Sequence, residues 1–216
     1  MRKIYILFAL ATLTACGNSA SNDAAKTPKA DTPAVGPATT KKETPPPPMD
    51  SATAAKKYME YMTPGDMHKM LASSVGTWTS EYTMWEKENG PAQKSTGTCE
   101  NKMILGGRFI ESHRSGTIMG KPLEGLRIMG YDNGRKVFVS SWQDNMSTGV
   151  INMEGLYDAA SKTITMKGID ETPVTGKTEL RQTYKMIDDK TQVVELYGTE
   201  PGKPEVKYWE MKLTKK

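Results

Sequence analysis

The chain has 216 residues and a formal net charge of +4, from 29 Lys and Arg against 25 Asp and Glu. From residue 58 onward the basic and acidic side chains balance at 21 each, so the excess positive charge lies in the first part of the chain. A neutral domain has no basic patch that would release counterions from a phosphate backbone. Nucleic acid is therefore excluded as a partner.

The first fifteen residues have the features of a secretory signal. Arg2 and Lys3 precede an apolar run much shorter than the roughly 20 residues that a membrane-spanning helix requires. The run ends in Leu-Thr-Ala-Cys, which resembles the bacterial lipobox; this resemblance implies cleavage before Cys16, a diacylglycerol on its thiol and a fatty acid such as palmitate on its new N-terminus. We predict a lipoprotein signal peptide over residues 1–15 and a membrane-anchored envelope protein, although an ordinary signal with a chance cysteine is the alternative. Gly17 carries no acidic retention signal, which favours the outer membrane.

Residues 16–57 are rich in Pro, Ala, Thr and Lys, and four consecutive prolines occupy 45–48. Such a segment cannot bury enough apolar surface to offset the entropy lost on ordering. We predict that the lipidated Cys16 is followed by a disordered tether to residue 57. The β-barrel domain is predicted over residues 58–216.

Two short helices are predicted at the start of this domain. Residues 58–62 end the first helix, and the second is predicted to start with Thr63 as N-cap and Pro64 in its first turn. Met67, Met70 and Leu71 recur at helical spacing and form an apolar stripe. Such a helix commonly covers one end of a barrel.

After Gly76 the pattern changes to short strands separated by turn residues such as Asn-Gly-Pro, Gly-Gly and Pro-Gly. We predict a mostly β fold, a ten-stranded antiparallel meander closed into a barrel, since pairing the first and last strands removes both exposed edges. The predicted strands are 76–87, 95–105, 108–118, 123–131, 135–142, 149–158, 162–169, 177–187, 191–199 and 205–214.

The Asp132-Asn133-Gly134 sequence predicts a two-residue type I′ hairpin. That turn would pair Tyr131 with Lys136, Met129 with Phe138, Arg127 with Ser140, and Gly125 with Trp142. We predict that the face with Met129, Phe138, Trp142 and Arg127 points inward, because ligand cavities are lined by large apolar groups and a few polar ones. The opposite face is also apolar, so we expect the helices or a second subunit, as in a homodimer, to cover it; it comprises Leu126, Ile128, Val137 and Val139.

Several segments together resemble a bacterial domain-of-unknown-function family of small lipocalin-like β-barrels, which are often secreted or lipid-anchored. The segments are GTWTSEYTMW, STGTCENKMILGGRFIE, GKPLEGLRIMGYDNGRKVFVSSWQDNMSTG, EGLYDAASKTITMKG and YWEMKLTKK. The resemblance covers residues 64–216 and implies a lipocalin-like barrel without an assigned activity. The Gly-Thr-Trp opening also resembles the nitrobindins, whose last strand supplies a haem-binding His. Residues 205–213 contain no His, so no cofactor is predicted.

Two groups of residues are candidates for catalysis or metal binding. Glu111 and His113 share one side of a strand, which suits acid–base chemistry but equally a solvent-facing pair. Met67, His68 and Met70 could bind Cu(I), yet the apolar stripe of an amphipathic helix explains them as well. The sequence has no G-x-S-x-G, HExxH, P-loop or paired-cysteine motif, and once Cys16 is lipidated Cys99 is the remaining thiol, expected to pack in a strand. We predict a protein that is not an enzyme, without catalytic or metal-binding residues.

The predicted function is the binding of a small apolar or amphipathic ligand inside the barrel. The alternative is a non-catalytic envelope scaffold or interaction module whose barrel is filled by side chains. The predicted ligand-binding residues are Trp78, Tyr82, Arg127, Met129, Phe138 and Trp142.

Overall fold

The computed structural model describes residues 48–85 and 90–216. The predicted signal peptide, Cys16 and most of the predicted tether lie outside the described residues, as does the end of the first predicted strand. The segment from Pro48 to Lys216 forms one compact unit with its own hydrophobic core.

Helix α1 (Ser51–Met62) begins directly after Asp50, whose carboxylate accepts hydrogen bonds from the backbone N–H groups of Ala52 and Thr53. An N-cap of this kind satisfies donors that have no partner within the helix. Residues 51–57, which the composition assigned to the tether, therefore belong to α1. Asp50 is the local sequence signal for this helix start, whereas composition alone does not indicate it.

Helix α2 (Asp66–Ser73) starts at Gly65, so the prediction of Thr63 as its N-cap is wrong. Thr63 instead ends α1, because its backbone N–H and its hydroxyl both donate to the carbonyl of Met59. The Gly65 N–H donates to Nδ1 of His68 at 3.0 Å. Neither of these two described helices combines the length and the apolarity needed to cross a bilayer.

Ten antiparallel strands follow, and they close into a barrel because β1 pairs with both β2 and β10. The predicted fold class is confirmed. The strands are β1 (Gly76–Trp85), β2 (Ala92–Ile104), β3 (Phe109–Ile118), β4 (Lys121–Asp132), β5 (Val137–Asp144), β6 (Ile151–Asp158), β7 (Thr163–Thr172), β8 (Gly176–Asp188), β9 (Thr191–Thr199) and β10 (Val206–Lys215).

The turn between β4 and β5 differs from the predicted type I′ hairpin. Asp132 pairs with Val137, which leaves a four-residue loop in which Lys136 has a φ of 60°. The Asp132 carboxylate accepts hydrogen bonds from the N–H groups of Gly134 and Arg135, and these bonds favour the wider turn.

The predicted pairs across this hairpin are therefore wrong by two residues. Met129 pairs with Ser140, Arg127 with Trp142, and Tyr131 with Phe138. Since side chains alternate with a period of two, a shift of two residues leaves every side chain on its predicted face. The two-residue turn with positive φ at both positions occurs instead at Met119 and Gly120, between β3 and β4.

The inward faces of the strands pack into a core that fills the end of the barrel next to α2. Phe138, Met166 and Val194 are completely inaccessible to solvent, and Leu71 of α2 belongs to the same cluster. The Ser74 carbonyl, just after α2, accepts hydrogen bonds from the indole of Trp78 and the amide of Asn101. Helix α2 therefore closes this end, as its apolar stripe predicted.

The outward face of the β4–β5 hairpin is half-buried. The helices contact the turn beyond this face, through the Asn133 amide and the ring of Tyr61 against Gly134. A second subunit over the face itself stays a prediction. Its residues are Leu126, Ile128, Val137 and Val139.

Candidate functional site

The half of the barrel farther from α2 contains a cavity of about 220 Å³. It lies towards the end where Met119 and Gly120 join β3 to β4, and its side walls come from strands on all sides of the barrel. Most of the wall is apolar or aromatic. The large apolar lining residues are Tyr82, Ile118, Leu123, Trp142, Ile151, Met153, Leu180, Tyr184, Leu196, Trp209 and Met211.

Two guanidinium groups lie within this apolar wall. Arg127 of β4 is 8% exposed and donates through Nη2 to the Ser112 hydroxyl at 3.1 Å. Its Cζ lies 4.7 Å from the ring centroid of Tyr184. Its Nε and Nη1 atoms are buried and have no hydrogen-bond partner within residues 48–85 and 90–216.

Arg114 of β3 is the second guanidinium, and its Cζ lies 5.3 Å from the ring centroid of Trp142. Its Nε and Nη2 atoms are likewise buried without a partner in the described part of the chain. Burial, and then the positive charge of Arg127, lower the pKa of the Arg114 guanidinium. An arginine remains protonated in proteins nonetheless, so both side chains bring positive charge into the barrel.

The position of Trp142 depends on Gly125, a residue without a side chain that lies against the indole. A Cβ atom added at Gly125 would lie 2.2 Å from Cη2 of Trp142, so the indole rests directly on the backbone of β4. The Trp142 Nε1 donates to the Asp144 carboxylate at 2.7 Å, and that carboxylate also accepts from the N–H groups of Met146 and Ser147. The indole is therefore held in one orientation at the cavity wall.

Three of the six predicted ligand-binding residues, Tyr82, Arg127 and Trp142, line the cavity. The ring centroid of Tyr82 lies 5.2 Å from that of Trp209, and burial raises the pKa of the Tyr82 hydroxyl. The remaining three lie in the filled end of the barrel, where they are buried in the core: Trp78, Met129 and Phe138. Ligand contact by any of the six stays a prediction.

Four further lining residues were not predicted from the sequence: Arg114, Trp209, Gln182 and Tyr184. The Tyr184 hydroxyl donates a hydrogen bond to the amide oxygen of Gln182. For Arg114 a signal existed. It lies two residues from Ser112 and one from His113, so the alternation that places His113 outside places Arg114 inside.

The other candidate residues have structural contacts. On the outer surface, Nε2 of His113 and the Glu111 carboxylate are hydrogen-bonded at 2.9 Å, and Lys102 forms a salt bridge with the same carboxylate at 2.8 Å. Cys99 is a buried free thiol that contacts the Asn101 side chain.

His68 is buried between α2 and the barrel, with its ring 6.0 Å from and perpendicular to that of Tyr131. Burial lowers the pKa of His68, and its Nδ1 accepts the Gly65 N–H, so this nitrogen is not free to bind a metal. Within residues 48–85 and 90–216, no group of three or more His, Cys, Asp and Glu could hold a metal ion.

The fold and cavity define the class of protein: a lipocalin-like β-barrel with an internal cavity and one end closed by a helix. Residues 63–215 match the family described as "Protein of unknown function (DUF1579)", and the chain belongs to this family. None of the curated proteins matches the chain.

Solved structures share the architecture at low sequence identity. Rv2717c from M. tuberculosis is similar with a TM-score of 0.54 and 12% identity, over 71% of this chain and 99% of that one. The S-type phycobiliprotein lyase CPES from Guillardia theta is similar with a TM-score of 0.50 and 7% identity, over 74% of this chain and 96% of that one. At these identities the similarity establishes a common fold.

Proposed function

We propose that this chain is a cell-envelope lipoprotein whose barrel binds a small apolar or amphipathic ligand. The observation that carries the binding proposal is the cavity of about 220 Å³, whose wall is mostly aromatic and aliphatic, with polar side chains among these residues. Ligand pockets have this composition, although they typically measure about 300–1,000 Å³. The ligand is therefore small, or only part of it enters the barrel.

The alternative of a barrel filled by side chains fits the half of the barrel beside α2. Large side chains occupy the end beside α2, where Phe138 and Trp78 are buried in the core. The other half of the barrel also has large side chains, but these surround the cavity. This division favours a binding protein over a purely structural barrel.

The envelope location rests on the sequence of the first part of the chain. The Leu-Thr-Ala-Cys motif at Cys16 supports lipidation, and Gly17 supports the outer membrane. Two or more acyl chains hold a protein durably on a bilayer, since each buried CH₂ contributes about 0.8 kcal/mol.

We propose binding without catalysis. The solvent-facing His113–Glu111 pair lies on the outer surface, and His68 packs between α2 and the barrel. Neither histidine is among the residues that line the cavity. A ligand in the barrel would meet guanidinium, hydroxyl, amide and aromatic groups, together with the Asp144 carboxylate.

Native mass spectrometry of the full chain, produced with its own signal in a bacterial host, tests ligand binding. We expect a reproducible mass above that of the lipidated polypeptide, lost on denaturation. Leu196→Trp places an indole in the cavity and should abolish the added mass. Leu156→Trp is the matched control, because Leu156 is exposed on the outside of the barrel.

A mass equal to that of the lipidated polypeptide alone, in gently purified protein, would instead support the scaffold alternative. The same spectrum reports whether the chain is a homodimer. Anchoring is tested separately by Cys16→Ser, which should move the protein from the membrane fraction to the soluble fraction and remove the mass of the acyl groups. Unchanged membrane fractionation and mass in this variant would refute lipidation at Cys16.

A further inference from the structure

We infer that the ligand of this cavity is an organic anion with a single carboxylate on a small apolar body, held by Arg114 and Arg127. This inference rests on the proposed ligand-binding function and specifies the chemistry of the ligand. It follows from the two guanidinium groups, the four of their nitrogens that have no partner in the described part of the chain, and the charge of the cavity wall.

The two arginines are neighbours on one face of the sheet. Arg114 pairs with Gly125, and Ser112 pairs with Arg127, so the arginines are diagonal neighbours on β3 and β4. Residues in that relation have Cα atoms about 7–8 Å apart, within reach of long side chains. Both line the same cavity.

Their hydrogen-bonding capacity exceeds what the protein supplies. Four guanidinium nitrogens, two from each arginine, are buried without an acceptor in the described part of the chain. Buried charged groups in proteins are paired or hydrogen-bonded, because desolvation otherwise costs several kcal/mol per ion. Stacking on Tyr184 and Trp142 recovers part of this cost but provides no acceptor for the N–H groups.

The charges lining the cavity indicate how much negative charge the ligand carries. Among its lining residues, Arg114 and Arg127 are cationic and Asp144 is anionic, which leaves one net positive charge. The Asp144 carboxylate is already engaged by the Trp142 indole and two backbone N–H groups. A monoanion complements this balance, whereas a doubly charged phosphate would leave an excess of negative charge in an apolar site.

The apolar wall indicates the rest of the ligand. Leu123 of β4 lies four residues before Arg127, and Ile118 of β3 lies four residues after Arg114, so both are nearer the end of the barrel opposite α2. When the ligand carboxylate lies beside the guanidinium groups, the apolar part of the ligand therefore lies among the side chains towards the end of the barrel opposite α2. Planar guanidinium groups match the two oxygens of a carboxylate.

The test compares octanoate with octan-1-ol, which share a chain and differ in the charge of the head group. Isothermal titration calorimetry on the Pro48–Lys216 segment gives both affinities. We expect octanoate to bind at least about tenfold more tightly than octanol, because hydrogen bonds to a charged group stabilise a complex more than hydrogen bonds between neutral groups. Arg127→Met and Arg114→Met should each remove most of that preference while leaving octanol affinity within about twofold.

Arg181→Met is the matched control. Arg181 lies on the outside of the same barrel, paired with the Glu205 carboxylate at 2.7 Å, and its replacement should leave both affinities unchanged. Thermal unfolding of the three variants serves as a second measurement. Arg127→Met should unfold at a temperature no lower than the parent protein, since it removes a buried charge that lacks a full set of partners.

The possible outcomes distinguish a failure of the carboxylate inference from a failure of the proposed ligand-binding function. Equal affinities for octanoate and octanol in the parent protein would overturn the carboxylate inference and leave ligand binding in place. Binding of neither probe, together with a bare polypeptide mass in the native spectrum, would overturn both. An octanoate preference that survives both arginine replacements would assign the anion to another site.

Discussion

The attachment of α1 to the barrel leads to a quantitative prediction. No residue of α1 is buried, so the helix has no apolar face in the core. Instead, two side chains from distant turns donate hydrogen bonds to the carbonyls at its C-terminal end. The Asn133 amide donates to the Thr63 and Tyr61 carbonyls at 2.8 and 3.1 Å, and Arg108 donates to the Met62 carbonyl at 2.7 Å.

The expected size of the effect follows from these contacts. A net contribution of about 0.5–1.5 kcal/mol for each neutral hydrogen bond gives about 1–3 kcal/mol for the two bonds of Asn133. The loss of that amount in Asn133→Ala should raise the local opening of α1 roughly 5–150-fold. Adding Arg108→Ala should leave a 12-residue helix that, by itself, is marginal in water.

Hydrogen–deuterium exchange measured by mass spectrometry provides the assay. Peptides from residues 51–62 should exchange faster in Asn133→Ala and approach the rate of an unfolded chain in the double variant. Peptides from β8 and β9 should keep their protection in both. Asn152→Ala, on the outside of β6, is the control substitution. The reasoning is refuted if residues 51–62 exchange at the parental rate in the double variant.

Three further predictions concern the barrel. Phe138→Ala should lower the free energy of unfolding by about 3–5 kcal/mol in urea titration, since the side chain is completely buried; a loss below 1 kcal/mol would contradict this packing. Gly125→Ala should displace Trp142 and destabilise the protein by about 1–3 kcal/mol, with a changed near-ultraviolet circular dichroism spectrum as the readout and an unchanged spectrum as the contrary result. Hydrogen bonds from the Arg135 side chain, and then from backbone N–H groups, lower the pKa of Asp132 in the folded state. Its stabilising contribution is therefore fully present above the unfolded pKa of about 4 and is lost as the pH falls through the folded-state pKa. The stability difference between the parent and Asp132→Asn should shrink between about pH 5 and pH 2; a constant difference would show that this carboxylate has no linked titration.

Most of the fold could be predicted from local patterns. Each strand lies within a few residues of its prediction, because period-two alternation and Gly-rich turns are local properties. The inward face of the β4–β5 hairpin was likewise predictable, although the turn was not. The Asp132 carboxylate satisfies N–H groups in the loop, and this side-chain contact outweighs the preference of Asn133-Gly134 for a tighter turn.

The candidate site was only half predictable. Tyr82, Arg127 and Trp142 lie at the cavity, whereas Trp78, Met129 and Phe138 lie in the filled end. All six lie in the interior of the barrel. Residues on one inward face differ in depth along the barrel axis, and depth depends on which end α2 closes.

By itself, the sequence determined the strands, the presence of two helices before them and the side of the strand on which a residue lies, since these depend on neighbours a few positions away. Tertiary structure decided how the barrel closes, because the pairing of β1 with β10 joins residues that are 125 to 137 positions apart. It also decided that Arg114 and Arg127 share one cavity with Trp142. Their proximity results from the registers of β3, β4 and β5, and each register depends on turns and on packing across the whole barrel.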